Sequence, residues 1–209
     1  MLPASKVKKQ YSNWDAIYQA GTPPWDAGKP HAELIRVLEE YHLRPRTVLE
    51  VGCGTGSDAI YLARRRFEVT AVDCSAIAIE RARLRAERHD VVLRFVQADV
   101  FEFAGTAGCF DFVYDAGLYH AIREEHLEAY LDMLWRVTRP GSYYLCLAGA
   151  PGEGDDDGPP VVTADEMQEE LCRLFEVIHL RAARLESSDP ERTHPAWSCL
   201  MRRPVVQSK

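Results

Sequence analysis

The stretch VLEVGCGTGSD, residues 48–58, constrains this chain more than any other. An apolar, β-branched run ends in three glycines at alternate positions, Gly52, Gly54 and Gly56, and a helical pattern follows. Glycines directly after a strand adopt conformations closed to residues with a Cβ and let the main chain approach a ligand closely. The stretch predicts a strand, a tight loop and a helix, with a ligand held at the strand's C-terminal end.

From residue 46 onward, short β-branched runs alternate with helical stretches, the pattern of a parallel sheet covered on both faces. RTVLEV, FEVTAVD, VVLRFVQAD, CFDFVYDAG and SYYLCLAGA read as strands. GSDAIYLARRR, AIAIERARLRAERH and EHLEAYLDMLWRVT read as helices between them. Ser75 is placed to cap the second helix, and Thr163 with Glu166 forms a capping box before TADEMQEELCRLF. FEVIHLRAARLE and AWSCLMRRP add two strand-like runs. The succession predicts an α/β, doubly wound fold, and 209 residues are short for two independent domains. PGEGDDDGPP reads as an exposed acidic loop, because it has almost no apolar surface to bury. Arg81, Arg85 and Arg88 read as a solvated helix face paired with Glu80 and Glu87, and Met133 and Trp135 as core.

A formal net charge of −7 repels phosphate backbones, so nucleic acid is not the expected partner. No apolar run approaches the roughly 20 residues of a membrane span. The basic start, MLPASKVKKQ, lacks the apolar segment of a secretory signal. Six cysteines without CxxC pairs argue against zinc and for reduced, mostly buried thiols. A cytoplasmic protein with a small-molecule partner, and with neither membrane nor metal, is the expectation.

The glycine spacing is GxGxG, whereas dinucleotide loops read GxGxxG, and Glu50 stands two residues before the first glycine. A carboxylate there suits a positively charged ligand better than a pyrophosphate. Asp73 closes the second strand, where an acidic side chain accepts hydrogen bonds from ribose hydroxyls. Asp99 closes the third, placed to accept from an exocyclic amine while the Val100 amide donates to a ring nitrogen. An amino-acid end, a ribose and an adenine together describe S-adenosylmethionine, with Glu50 near the ammonium and the loop amides near the carboxylate.

On these residues the chain resembles the class I S-adenosylmethionine-dependent methyltransferases, through VLEVGCGTG, VTAVDCS, FVQADV and FDFVYDAGLYHAI. The resemblance implies a Rossmann-like, seven-stranded, mostly parallel sheet, with AWSCLMRRP as an antiparallel strand inserted near the edge. It also implies cofactor contacts from Cys53, Cys74, Asp115 and Ala116. WDAIYQAGTPPWDAGKPHAEL with DAGLYHAI looks like the small-molecule enzymes of the thiopurine, tellurite-resistance and heterocyclic-toxin groups. In such enzymes the segment before the first strand folds over the cofactor. Residues 1–45 are then a covering segment and 46–203 the core, with Trp14, Tyr18, Trp25 and Gly28 lining the site. Ala116 and Tyr119 depart from what those relatives often carry, which leaves the acceptor open. The paired cysteines of arsenite methylation and the metal-binding carboxylates of catechol methylation are not evident.

Methyl transfer is an in-line displacement, so alignment and water exclusion matter most. Trp25 and Tyr119 are candidates to face the sulfonium, and His120 is the candidate base for a hydroxyl or ring N–H acceptor. A thiolate needs no base. Rival readings are a nicotinamide-dependent oxidoreductase, disfavoured by the glycine spacing and Glu50, a non-catalytic cofactor-binding module, and a nucleic-acid methyltransferase.

Overall fold

The computed structural model describes residues 14–103, 108–152 and 158–205. The basic N-terminal stretch and the centre of the acidic loop lie outside the described residues. In chain order the elements are α1 (Trp14–Ala20), α2 (Ala32–Glu40), β1 (Thr47–Val51), α3 (Ser57–Arg64), β2 (Glu68–Asp73), α4 (Ala76–Arg88), β3 (Arg94–Gln97), β4 (Phe110–Ala116), α5 (Leu118–Val137), β5 (Thr138–Gly149), α6 (Ala164–Leu171), β6 (Glu176–Glu186) and β7 (Thr193–Arg202).

One seven-stranded sheet runs in the order β3-β2-β1-β4-β5-β7-β6. The first five strands are parallel, and β7 lies antiparallel between β5 and β6. Strand order reverses between β1 and β4, the place where open α/β sheets form a ligand crevice beyond their C-terminal ends. The antiparallel insertion expected of AWSCLMRRP is present.

Alternation along the strands divides the core in two. Leu49, Val113, Tyr144 and Met201 join α5 and α6, through Leu134 and Met167, in one apolar cluster. Val48, Phe112, Leu145 and Leu200 join α2, α3 and α4, through Leu38, Leu62 and Ile79, in the other. A two-residue side-chain period places successive residues on opposite faces, so strands buried on both sides lose the polar alternation of a one-sided sheet.

Ser75 caps α4 by accepting from the Ala78 amide at 3.1 Å, and Thr163 and Glu166 complete the capping box of α6. Three expectations need correction. Helix α5 starts at Leu118, well before the predicted Glu125, because the Asp115 carboxylate caps it from within the preceding strand; a non-helical His126 marks a kink near the predicted start. Trp135 is 54% exposed, with the Arg203 guanidinium 3.4 Å from its ring centre, so it is no core residue, whereas Met133 is fully buried. The cysteines are all free thiols, yet Cys74 and Cys172 are exposed and only Cys53, Cys146 and Cys199 are buried. Among the described residues, no helix is long and apolar enough to cross a membrane.

Candidate active site

The loop after β1 passes through three left-handed glycines, Gly52 at φ +66°, Gly54 at +52° and Gly56 at +78°. Asp73 organises it. One carboxylate oxygen accepts the Gly54 amide at 2.8 Å and the other accepts the Ser75 amide at 2.8 Å. Burial raises the Asp73 pKa, and those two amides partly oppose the rise. Each oxygen keeps acceptor capacity beyond its amide bond, which is what a ribose diol requires.

Glu50 lies beside Tyr114 in the register of β1 and β4 and is buried, with Oε2 lacking any hydrogen-bond partner. The Tyr114 hydroxyl is likewise buried and unpartnered. Burial pushes the Glu50 carboxyl well above its ordinary range, and the charges of Asp58, Asp73 and Asp115 push it the same way. An orphaned carboxyl among other carboxylates is stabilised by an approaching cation. The groups present therefore fit a ligand with a positive amino-acid end and a ribose.

The N-terminal segment closes over the loop. The Tyr18 hydroxyl sits where a Cβ on Gly54 would lie 2.8 Å away, so glycine is required both for its conformation and for this approach. Trp25 donates to that hydroxyl at 3.2 Å and meets Trp14 edge-on at 5.7 Å. Helix α4 holds the segment at three points. Asp15 accepts from Ser75 Oγ at 2.5 Å. Arg81 donates to the Tyr18 and Gly21 carbonyls at 2.7 and 2.8 Å. Arg85 donates at 2.7 Å to Thr55, whose hydroxyl donates to Asp26 at 2.8 Å. Asp26 also accepts from the Gly28 amide at 3.1 Å. The loop between β6 and β7 ties the far end through Ser188, which donates to the Pro24 carbonyl at 2.7 Å.

At the ends of β4 and β5 the polar groups turn inward. Asp115 is fully buried and accepts the Leu118 and Tyr119 amides at 2.8 and 2.9 Å, together with the Tyr130 hydroxyl. Burial, opposed by these donors, leaves its carboxyl at about 6. Tyr119 is also fully buried and donates to Glu170 of α6 at 2.5 Å, beside Arg123. His120 is 8% exposed, and its Nδ1 accepts the Gly149 amide at 2.7 Å. Burial alone pushes its pKa down to about 4.

Residues 48–141 match the methyltransferase domain family. The chain is 32% identical over 169 residues to 2-heptyl-1-hydroxyquinolin-4(1H)-one methyltransferase of Mycobacteroides abscessus, covering 79% of this chain and 74% of that one. The chain belongs to the S-adenosylmethionine-dependent methyltransferases. It is also 28% identical to probable thiol methyltransferase 2 of Arabidopsis thaliana, over 80% of this chain and 75% of that one. A solved structure from work on conversion of a disulfide bond into a thioacetal group during echinomycin biosynthesis superposes with a TM-score of 0.79 at 29% identity, covering 93% of this chain and 91% of that one.

Within this methyltransferase, Glu50, the glycine loop, Asp73, Tyr18 and Trp25 converge on one region. Cys53 is buried in the loop, its thiol pKa raised well above normal by burial and then by Glu50. Cys74 and Asp99 are exposed at the ends of β2 and β3, and Asp99 accepts the Phe101 amide at 2.9 Å, while the Val100 side chain is buried. Ala116 is half-buried at the end of β4. Two of the expected catalytic residues have polar atoms already engaged by protein partners. Tyr119 directs its hydroxyl to α6 and not to an exposed cleft. His120 has the nitrogen Nδ1 occupied by a donor, so in the neutral ring the proton sits on Nε2, and Nε2 is not available to take another. The arginine face of α4 is corrected too: Arg81 and Arg85 hold the covering segment. The sequence reading missed Asp15, Asp26 and Arg81 as its clamps. The run DAG after Trp25 was a legible signal for the Asp26–Gly28 turn. The carbonyl partners of Arg81 lie sixty and more residues away and had none.

Proposed function

We propose that this methyltransferase transfers the methyl group to a compact small molecule whose nucleophile is a thiol, chalcogenide, hydroxyl or heterocyclic nitrogen. The observation that carries this reading is the covering segment, with Tyr18 seated on Gly54 and Arg81 and Arg85 holding the clamp. A site closed on that side leaves little room for a macromolecule. The names of the relatives, one acting on a hydroxyquinolone and another on thiols, support it.

Within this reading the bound cofactor supplies an electrophilic methyl group on a cationic sulfur. Glu50 would hold the ammonium, the loop amides the carboxylate and Asp73 the ribose, with Asp99 and the Val100 amide toward the adenine. Trp14, Tyr18 and Trp25 exclude water, and an aromatic face toward the cation contributes roughly 0.5–2 kcal/mol. The whole chain acts as one domain, with residues 46–203 as platform and 1–45 as cover. Labelled S-adenosylmethionine offered with a panel of thiols, phenols and N-hydroxy or N–H heterocycles tests the proposal. Transfer to at least one panel member is expected; tight cofactor binding without any transfer would overturn it.

A further inference from the structure

The place of His120 narrows the acceptor class, and the narrowing rests on the small-molecule reading above. The imidazole is wedged between the ends of two strands. On one side lies Gly149, the last residue of β5, whose amide donates to Nδ1 at 2.7 Å. A Cβ on Gly149 would fall 3.4 Å from Nδ1 and 2.4 Å from the Pro160 carbonyl, so only glycine fits between the ring and that carbonyl. On the other side lies Gly117, at φ +102° just after β4, where a Cβ would fall 3.5 Å from Nε2. The chain next to Gly117 meets the cofactor loop, since a Cβ on Gly52 would fall 3.0 Å from Leu118 Cβ. Nε2 therefore lies beside the Gly117 turn at the end of β4, two residues along the helix from the side chain that abuts the glycine loop.

The amide of Gly149 has a fixed proton to donate, so Nδ1 must be the bare nitrogen and Nε2 must carry the ring's proton. For Nε2 to act as a base, Nδ1 would have to hold a proton against the Gly149 N–H, two donors facing each other at hydrogen-bonding distance. Burial adds to this by disfavouring the imidazolium that a base becomes.

We propose that His120 is a specificity-determining donor, whose Nε2–H selects a methyl acceptor that arrives with its nucleophilic atom already ionised: a thiolate, an acidic phenolate or an N-oxide anion. The acceptor's proton is lost to solvent before binding. In the transfer a lone pair on the anion forms the new bond to the methyl carbon, the carbon–sulfur bond breaks, and its electron pair stays on sulfur, which becomes a neutral thioether. No proton remains to be removed. The Nε2–H bond is strongest to the full anion and weakens as that charge disappears, so the residue governs acceptor binding more than turnover.

Two variants separate the roles. His120→Asn keeps an oxygen where Nδ1 accepts from Gly149 and removes the Nε2 donor, whereas His120→Gln restores a non-titratable donor near the Nε2 position. With an acceptor the wild type methylates, His120→Asn is expected to raise KM roughly ten- to a hundredfold, the range of one hydrogen bond to a charged group, with a smaller change in kcat. His120→Gln should recover part of the KM loss. A binding readout without turnover uses the full chain saturated with S-adenosylhomocysteine and a nitrophenol or nitrothiophenol probe, whose anion absorbs in the visible. The wild type should lower the apparent pKa of the bound probe, and His120→Asn should abolish that shift. Across acceptors of graded acidity, the acid limb of kcat/KM should follow each acceptor's own pKa. A kcat collapse in both variants, with one fixed limb for every acceptor and no probe shift in the wild type, would overturn the donor role and restore a base. If the wild type methylates only acceptors that remain neutral, the anion assignment falls while the methyltransferase reading stands. If it methylates nothing in the panel, the small-molecule reading falls first.

Discussion

Asp73 and Asp115 each stand at or next to the end of a parallel strand, before a helix, and the structure uses them in opposite ways. After Asp73 comes Ser75, whose own hydroxyl caps α4. After Asp115 the cap position is Gly117, which has no side chain, so the aspartate turns back to accept the first amides of α5. One carboxylate remains partly open at the glycine loop, and the other is enclosed with Tyr130. In this pair, the residue two places beyond the aspartate sets how far that carboxylate is drawn into capping the next helix.

The largest effect expected is on stability at the β4 end. Asp115→Ala removes a helix cap and one of the two hydrogen bonds of the Tyr130 hydroxyl, which keeps Tyr144 at 3.0 Å, costing about 3 kcal/mol by the usual worth of caps and buried bonds. Chemical denaturation measures this, and calorimetry should show little change in cofactor affinity for the fraction that folds. A selective loss of affinity instead would break the comparison.

The second effect separates acid sensitivity. His120 has a folded pKa near 4, below the ordinary value of about 6.5. Between those values the unfolded chain binds more protons, so stability falls as pH drops from about 6.5 to 4, by about 3 kcal/mol from this ring. Asp115, raised to about 6, works the other way. Its folded state binds more protons between about 4 and 6, so acid relieves a cost there. His31 differs again. Burial pulls its ring down, but the charge and 2.7 Å contact of Asp58 outweigh this and raise the pKa. Its contribution is present at low pH and lost as pH rises through the folded pKa. The difference in stability between wild type and His120→Asn, followed from pH 7 to 4, isolates the first contribution, and a flat difference would reject it.

At the β2 end, Asp73→Ala is expected to weaken cofactor binding by roughly 1.5–3 kcal/mol, about ten- to a hundredfold. Unchanged calorimetric affinity would withdraw Asp73 from the ribose and erase the contrast with Asp115. The smallest effect is at the clamp. Arg81→Ala should weaken affinity only about three- to tenfold, because its two carbonyl bonds lie near solvent, and it should speed release of S-adenosylhomocysteine in stopped-flow fluorescence of Trp14 and Trp25.

The strands and their helices were legible because each carries its own local signal: β-branched runs, the Ser75 cap, the Thr163 and Glu166 box. The glycine loop was legible for the same reason, since a left-handed backbone restricts the residue type at its own position. The start of α5 was not, because its cap lies inside a strand. Trp135 was misread because helical spacing does not tell which neighbours a given face meets. Arg81 and Arg85 looked like a solvated face since their partners, Tyr18, Gly21, Thr55 and Asp26, come from earlier parts of the chain.

By itself the sequence determined the alternating α/β architecture, the left-handed glycine loop after β1 and the family to which the chain belongs. These depend on conformational preferences that act over a few residues. Tertiary structure alone decided which aspartate stays open, which nitrogen of His120 carries the proton and what holds the N-terminal cover in place. Those depend on partners brought together from distant segments, and a hydrogen bond exists only where the fold places a donor against an acceptor.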